Sequence, residues 1–326
     1  MNYFKSFKHE VLHLIPSDFD DLALKLFKYQ AQNNPVYARY IKNLKRDYRK
    51  INAIKDIPFL PVEFFKTQKI TCDTWEQQQV FESSGTSGYV PARHYIRDVT
   101  FYNTLAGRTF TSFFGPLNAY TILALLPSYM EKGNSSLINM VSYFIANAKL
   151  ESGFYLKNLE ELVRKITDER DKKIVLFGVA YALLDLAEYF PVDMHHVTIV
   201  ETGGMKGKRK EIIRQELYAI LKEKLKVKDI YSEYGMTELL SQAYAKNGIF
   251  NASATMKVFI REPNDPFSYV VHGKTGGINV IDLANIHSCA FVETKDLGKS
   301  HEDGSFEVLG RFDYSDIRGC NFLLNL

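Results

Sequence analysis

Phe81-Glu82-Ser83-Ser84-Gly85-Thr86-Ser87-Gly88 is the stretch from which the rest of the chain can be read. Four hydroxyl residues and two glycines fill the six positions from Ser83 to Gly88. Glycine admits φ > 0, so the backbone N–H groups can turn inward at a tight radius. The hydroxyls add donors, and such a loop suits an anion with several oxygens, above all a polyphosphate. A solvated Ser/Gly turn explains the same residues. Gln79-Val80-Phe81 before the loop and Ala92-Arg93-His94-Tyr95-Ile96 after it both read as strands. The unit is therefore a hairpin, not a strand–loop–helix, and it lacks the G-x-x-x-x-G-K-[ST] pattern.

Downstream, apolar strands alternate with helices. Strands are expected over 120–126, 173–178, 196–202 and 227–232, with helices over 98–114, 135–148, 159–167, 180–190 and 211–224. Asp98 is placed to cap the first of these helices. Near-continuous apolar strands between helices imply a mixed, largely parallel α/β sheet covered on both faces. Upstream, a helix follows Ser17, a basic helix spans 36–49, and the two prolines of Ile57-Pro58-Phe59-Leu60-Pro61 impose an extended connector with a short helix after it. After residue 250 short strands at 256–261, 269–272, 277–282 and 306–309 alternate with turn residues. This predicts a small antiparallel β subdomain over 251–326, following an α/β core over 1–250.

Composition excludes several classes. With 41 basic and 38 acidic residues, the net charge of +3 is too small to argue for nucleic acid or an anionic membrane surface. No apolar run is long enough to span a membrane. Three widely spaced cysteines, Cys72, Cys289 and Cys320, fit neither a disulfide framework nor a zinc site. They suit a reducing compartment, and with no secretory signal at the N-terminus a cytoplasmic protein is expected.

Ligands of α/β sheets bind at the carboxyl ends of strands. Two further motifs fall there: Glu201-Thr202-Gly203-Gly204-Met205-Lys206 and Tyr231-Ser232-Glu233-Tyr234-Gly235-Met236-Thr237-Glu238. Thr294-Lys295-Asp296-Leu297-Gly298 and Gly310-Arg311-Phe312-Asp313 follow. In this order the motifs resemble those of the ATP-dependent adenylate-forming enzymes: acyl-CoA synthetases, adenylation domains and firefly-type luciferases. The likeness covers residues 80 to 320 and implies the fold of their large N-terminal part. Four further blocks narrow it: Ile57–Lys66, Leu126-Pro127-Ser128-Tyr129, Asn134-Ser135-Ser136-Leu137 and Asp316-Ile317-Arg318-Gly319-Cys320 resemble the LuxE-type acyl-protein synthetases.

The resemblance implies a role for each matching residue. Ser83, Ser84, Thr86 and Ser87, with the N–H groups of Gly85 and Gly88, would hold the ATP β- and γ-phosphates. Gly203 and Gly204 would lie flat against the adenine, and Tyr234, ahead of Gly235, would stack on it. Thr237 would donate to the α-phosphate, and Glu238 would hold Mg²⁺, a hard cation that prefers oxygen ligands. Asp296 would accept from the ribose hydroxyls, with Arg311 nearby. Ordinary roles suit the same side chains: a first-turn acid for Glu238, a turn residue for Asp296, a surface ion pair for Arg311.

The activity so implied is ATP-dependent activation of a carboxylic acid, expected to be fatty, to acyl-AMP. The acyl group would pass to the Cys320 thiolate and on to a partner, an acyl-CoA reductase or another acyl-accepting protein. Arg318 would help lower the pKa of that thiol. A ligase using coenzyme A or another external thiol, and a nucleotide-binding scaffold without chemistry, are the alternatives. Two departures from the larger enzymes stand out. Thirteen residues follow Asp313, so their lysine-bearing C-terminal domain is expected to be absent. Tyr89-Val90-Pro91-Ala92-Arg93 lacks the lysine that follows the loop, leaving Arg93, Lys206 and Lys208 as candidate cations. Cys72 and Cys289 are expected to be structural, and the histidines show no metal-ligand spacing. The acid itself would lie against residues of Phe101–Phe114 and Ser128–Phe144.

Overall fold

In the computed structural model, residues 3–83, 90–127, 133–156, 158–203, 209–210 and 212–312 are described. The helices among them are α1 (Tyr3–Leu12), α2 (Phe19–Asn33), α3 (Pro35–Asn43), α4 (Phe64–Thr67), α5 (Val99–Phe114), α6 (Ser136–Ala146), α7 (Leu159–Asp168), α8 (Ala180–Tyr189) and α9 (Arg214–Leu225). The strands are β1 (Leu60–Pro61), β2 (Gln79–Glu82), β3 (Arg93–Ile96), β4 (Thr121–Leu125), β5 (Gly153–Phe154), β6 (Ile174–Val179), β7 (Val197–Thr202), β8 (Asp229–Tyr234), β9 (Ala243–Lys246), β10 (Ile249–Ala252), β11 (Met256–Arg261), β12 (Gly276–Asp282), β13 (Phe291–Ser300) and β14 (Phe306–Arg311).

One mixed sheet dominates, in the order β11-β12-β13-β14-β10-β9-β8-β7-β6-β4-β5, with β1 paired to β13. From β5 to β8 all pairings are parallel. From β8 to β11 all are antiparallel. The α/β class and the covered sheet agree with the sequence expectation. The antiparallel strands continue the same hydrogen-bonded sheet, and residue 250 lies inside β10, which pairs with both β9 and β14. β2 and β3 form the predicted separate hairpin, with Phe81 opposite His94.

Helices cover both faces of the parallel half. Phe177 of β6 meets Phe110 of α5 and Phe144 of α6, with ring centroids 6.4 and 5.8 Å away. Its neighbour Gly178 points the other way, because side chains alternate along a strand. A Cβ there would lie 2.5 Å from Leu183 of α8. Asp98 caps α5 by accepting from the Phe101 N–H at 2.9 Å, and Ser135 caps α6 by accepting from the Ile138 N–H at 3.4 Å.

The N-terminal helices serve the antiparallel half. Gln30 of α2 is fully buried; its Nε2 donates to Asn285 O at 2.7 Å and its Oε1 accepts from the Ala290 N–H at 2.9 Å. Asn34 Nδ2 donates to Ser288 O at 3.1 Å. Together they clamp the 283–290 turn that joins β12 to β13.

Three expectations need correction. The strand expected over 269–272 reduces to a single antiparallel bridge between Arg261 and Tyr269. The basic helix over 36–49 stops at Asn43, because Lys45 turns to φ 55° and Asp47 starts a separate short turn, accepting from the Arg49 N–H at 3.2 Å. β13, the longest strand among those described, was read only as a motif at its centre. Cys72 and Cys289 are buried and free, their Sγ atoms directed at Ser288 O and Phe291 O. Among the described residues no helix is long and apolar enough to cross a membrane.

Candidate active site

A cleft of about 1560 Å³ opens along the carboxyl ends of β7 and β8 and reaches β13 and β14. Its centre is the turn that leaves β8, Tyr234 to Glu238. Backbone carbonyls of this turn are anchored from two sides. A carbonyl can only accept, so the His94 Nδ1 at 2.8 Å from Thr237 O carries a proton. Burial holds the His94 pKa down to about 4, so the ring is neutral at physiological pH. Asn285 Nδ2 donates to Glu238 O at 2.9 Å.

Asp282, at the end of β12, holds the residues that follow. Its carboxylate accepts from the Leu240 and Ser241 N–H groups at 2.7 and 3.0 Å and from Ser241 Oγ at 2.6 Å. It also accepts from the Ala284 N–H at 3.0 Å. Burial raises its pKa against the pull of these donors. Since His94 sits on the hairpin that carries the Ser/Gly loop, the loop base and the turn are held in one frame.

Asp296 lies across the cleft on β13 and is 7 % exposed. Tyr234 Oη donates to its Oδ2 at 2.8 Å, and Arg311 Nε lies 3.3 Å from its Oδ1. The β13–β14 register places Arg311 opposite Asp296, with the guanidinium largely in solvent. Burial raises the Asp296 pKa, and Arg311 opposes that shift. The Tyr234 ring packs edge-on with Phe250 and Phe306, at 5.9 and 5.7 Å.

Two more carboxyls face the cleft from the parallel strands. Glu201 of β7 accepts from Ser232 Oγ at 2.9 Å, Ser232 Oγ pairs with Tyr218 Oη at 2.5 Å, and Arg214 Nε stands 4.0 Å from Glu201. Glu233 of β8 accepts from Thr202 Oγ1 at 2.6 Å. Burial, chiefly, lifts the Glu233 carboxyl to about 7. Glu201, also buried, is raised for the same reason. Sequence reasoning quoted both strands but weighed their glycines. The available signal was Glu201 near the end of the largely apolar β7; β8, which carries Asp229 and Ser232 as well as Glu233, offers no such contrast.

Every described residue of the predicted set lines this cleft: Ser83, Gly203, Tyr234, Gly235, Thr237, Glu238, Asp296 and Arg311. Ser83 closes the hairpin base, its N–H donating to Ala92 O at 3.0 Å and its Oγ accepting from the Ala92 N–H at 2.9 Å. Gly203 takes φ 69°, the left-handed region that favours glycine. Arg93, a candidate cation, pairs with Glu82 at 3.0 Å on the hairpin surface. Ser84, Gly85, Thr86, Ser87, Gly88, Gly204, Lys206, Lys208, Arg318 and Cys320 lie outside the described residues. Tyr102, Ser135, Ser136, Leu137 and Met140 border the cleft from α5 and the start of α6, the segments expected to contact the acid.

Glu238 meets one requirement of a magnesium ligand. Its side chain is 8 % exposed, lines the cleft, and is lifted to about 7 by burial, so the charged form lacks compensation. Among the described residues no group of three or more His, Cys, Asp or Glu side chains could hold a metal. One carboxylate is enough for Mg²⁺ when phosphate oxygens complete the shell. The residues therefore fit an ion delivered with a nucleotide rather than one caged by protein.

No protein-family model matches the chain, and no curated protein matches it. Solved structures do. A 2-hydroxyisobutyryl-CoA ligase in the postadenylation state, in complex with 2-HIB-AMP, superposes with a TM-score of 0.69 at 13 % identity, over 91 % of this chain and 68 % of that one. ATP-bound MatB from Rhodopseudomonas palustris superposes with a TM-score of 0.54 at 18 % identity, over 73 % of this chain and 49 % of that one. The fold resembles that of adenylate-forming ligases. The chain spans about half the length of the MatB structures it matches. At the carboxyl ends of parallel strands a ligand can be reached by several loops at once.

Proposed function

We propose that the protein activates a carboxylic acid with ATP and Mg²⁺, giving acyl-AMP and pyrophosphate. The observation that carries this reading is the convergence of Ser83, Gly203, Thr237, Glu238, Asp296 and Arg311 on one cleft. These residues come from segments far apart in sequence, and the fold's similarity to adenylate-forming ligases adds support.

The division of labour follows from position and chemistry. Asp296 accepts from the ribose hydroxyls, with Arg311 reducing the cost of its charge. The Ser/Gly loop holds the β- and γ-phosphates. Thr237, fixed through its carbonyl by His94, donates to the α-phosphate. Glu238 holds the Mg²⁺, which offsets charge on the phosphate oxygens. An oxygen of the acid's carboxylate attacks the α-phosphorus, and the bond to the bridging oxygen of the β-phosphate breaks. Pyrophosphate leaves with that electron pair.

In the finer reading, the Cys320 thiolate then attacks the acyl carbon and AMP leaves, so the acyl group is held as a thioester for a reductase or another acyl-accepting protein. This rests on the likeness of residues 316–320 to the LuxE-type enzymes. Coenzyme A as the thiol is the second reading, favoured by its presence with 2-HIB-AMP in a structural neighbour. Acid-dependent exchange of labelled pyrophosphate into ATP tests the core of the proposal. Exchange is expected with at least one member of a broad acid panel, and its absence throughout sinks the ligase reading. Intact mass after incubation with ATP and acid separates the two thiols: an acyl adduct lost in Cys320→Ser supports Cys320, and an adduct retained in that variant refutes it.

A further inference from the structure

The cleft contains, at the end of β8, a carboxylate that an unsubstituted hydrocarbon chain cannot satisfy. Glu233 is partly open to the cleft at the end of β8. One carboxylate oxygen accepts from Thr202 Oγ1 at 2.6 Å. The other bends over Gly235, where it would stand 2.3 Å from a Cβ. Gln242 approaches the same point, its Cγ 3.8 Å from that Cβ position. This glutamine is 3 % exposed and borders the cleft. Its Nε2 donates to Leu240 O at 3.1 Å, while its Oε1 is buried with no hydrogen-bond partner. Tyr102, on the neighbouring wall, directs its hydroxyl to Ser136 O at 3.1 Å and so supplies neither acceptor.

Among the described residues, no Lys, Arg or His forms an ion pair with Glu233. Glu233 therefore opens onto the cleft with the Thr202 hydroxyl as its side-chain donor among the described residues. Seating methylene groups against Glu233 would strip water from its open carboxylate oxygen without replacing its hydrogen bonds, which is costly. A ligand donor removes that cost. The Gly235 position adds a geometric point: a Cβ there would meet Glu233 Oε1 and oblige that side chain to shift.

Resting on the acid-activating reading above, we propose that the substrate is a carboxylic acid bearing a hydroxyl or amino group, and that Glu233 accepts a hydrogen bond from that group. This departs from the fatty acid that the sequence resemblance implies. The elevated Glu233 carboxyl is consistent with a group awaiting a donor or cation.

The test uses the full chain and matched acids: butyrate, its hydroxy- and amino-substituted counterparts, decanoate and tetradecanoate. Binding is read by ligand-observed NMR without ATP, and activation by pyrophosphate exchange. A substituted acid is expected to exceed butyrate and the long-chain acids by about 100-fold or more in kcat/KM, since a site built around hydrogen bonds rejects analogues lacking the donor. Equal or better binding or exchange with the unsubstituted acids overturns the proposal. Binding of a substituted acid without any exchange upholds it and removes the ligase reading instead. If no acid binds and none is exchanged, both fall. Glu233→Gln distinguishes the donors: selectivity for an amino acid should collapse, because the ion pair is lost, whereas selectivity for a hydroxy acid should fall by less than tenfold. Selectivity unchanged for both removes Glu233 from the assignment. Should the variant fail to fold, the wild-type panel alone decides.

Discussion

The two halves of the sheet treat buried polar groups in opposite ways. In the parallel half, β4 and β6 are wholly buried and almost entirely apolar, and the acids of β7 and β8 that line the cleft stand where those strands end. Those acids, Glu201 and Glu233, are raised by burial and face the cleft. In the antiparallel half, polar groups sit within and between strands and bond to one another. Arg261 donates to Ile278 O at 3.0 Å, to Asn279 Oδ1 at 3.0 Å and to Thr294 O at 2.9 Å, with Glu293 3.4 Å away. Asp282 gathers the turn after β8. The parallel half therefore turns its buried acids to the cleft, while the antiparallel half, Asp296 and Arg311 apart, uses its polar groups to fix the backbone that borders it. Such networks rigidify when satisfied and are damaging when broken.

The sharpest way to break this contrast is at Asp282. Asp282→Ala leaves the Leu240 and Ser241 N–H groups buried without an acceptor. A loss of about 3 kcal/mol in stability is expected from orphaning those donors. Urea denaturation measures it; a loss near zero would deny the antiparallel network its structural role.

A smaller effect should come from the cleft carboxyls, and it should depend on pH. Glu233 and Glu238 have folded-state pKa values of about 7, above the ordinary 4.5, because burial disfavours their charge. For a raised acid the stabilising contribution is full below the unfolded pKa and is lost as pH rises through the folded one. The apo protein should therefore weaken between pH about 4.5 and about 7, by on the order of 2 kcal/mol for the more buried Glu238. Glu238→Gln should flatten that part of the profile while reducing pyrophosphate exchange. Unfolding midpoints at acid and alkaline pH report the first, and an unchanged slope in the variant would exclude Glu238 as its source.

The smallest expected effect lies where the halves meet. Tyr234→Phe removes the hydroxyl that donates to Asp296 but leaves Arg311 in place. A cost of about 1 kcal/mol is expected for one hydrogen bond to a carboxylate with a second partner. Denaturation of the variant tests it, and a cost several times larger would mean that Arg311 in solvent contributes little to holding Asp296.

How much of this was legible in the chain follows from the same contrast. The strands of the parallel half announce themselves because burial on both faces demands continuous apolar runs, as in Ile174–Val179 and Thr121–Leu125. The β2–β3 hairpin was legible from its glycine loop between two short strand-like runs. β13 was not, because its inward positions include Thr294, Asp296 and Gly298 where an apolar alternation is expected. Thr294 is satisfied by donating to Ile278 O at 2.8 Å, and Gly298 is required where a Cβ would come 2.4 Å from Glu307 O. Neither reason is visible in a string of residues.

The sequence by itself determined the α/β class, the hairpin, the helix cap at Asp98, and an ordered set of motifs, since these depend on neighbours a few residues apart. Only the tertiary structure decided that the antiparallel strands extend the parallel sheet, that His94 and Asn285 hold the Tyr234–Glu238 turn, and that Glu233 opens onto the cleft. Those outcomes depend on pairings between residues far apart in the chain, where burial and unsatisfied hydrogen bonds, not local pattern, set the energy.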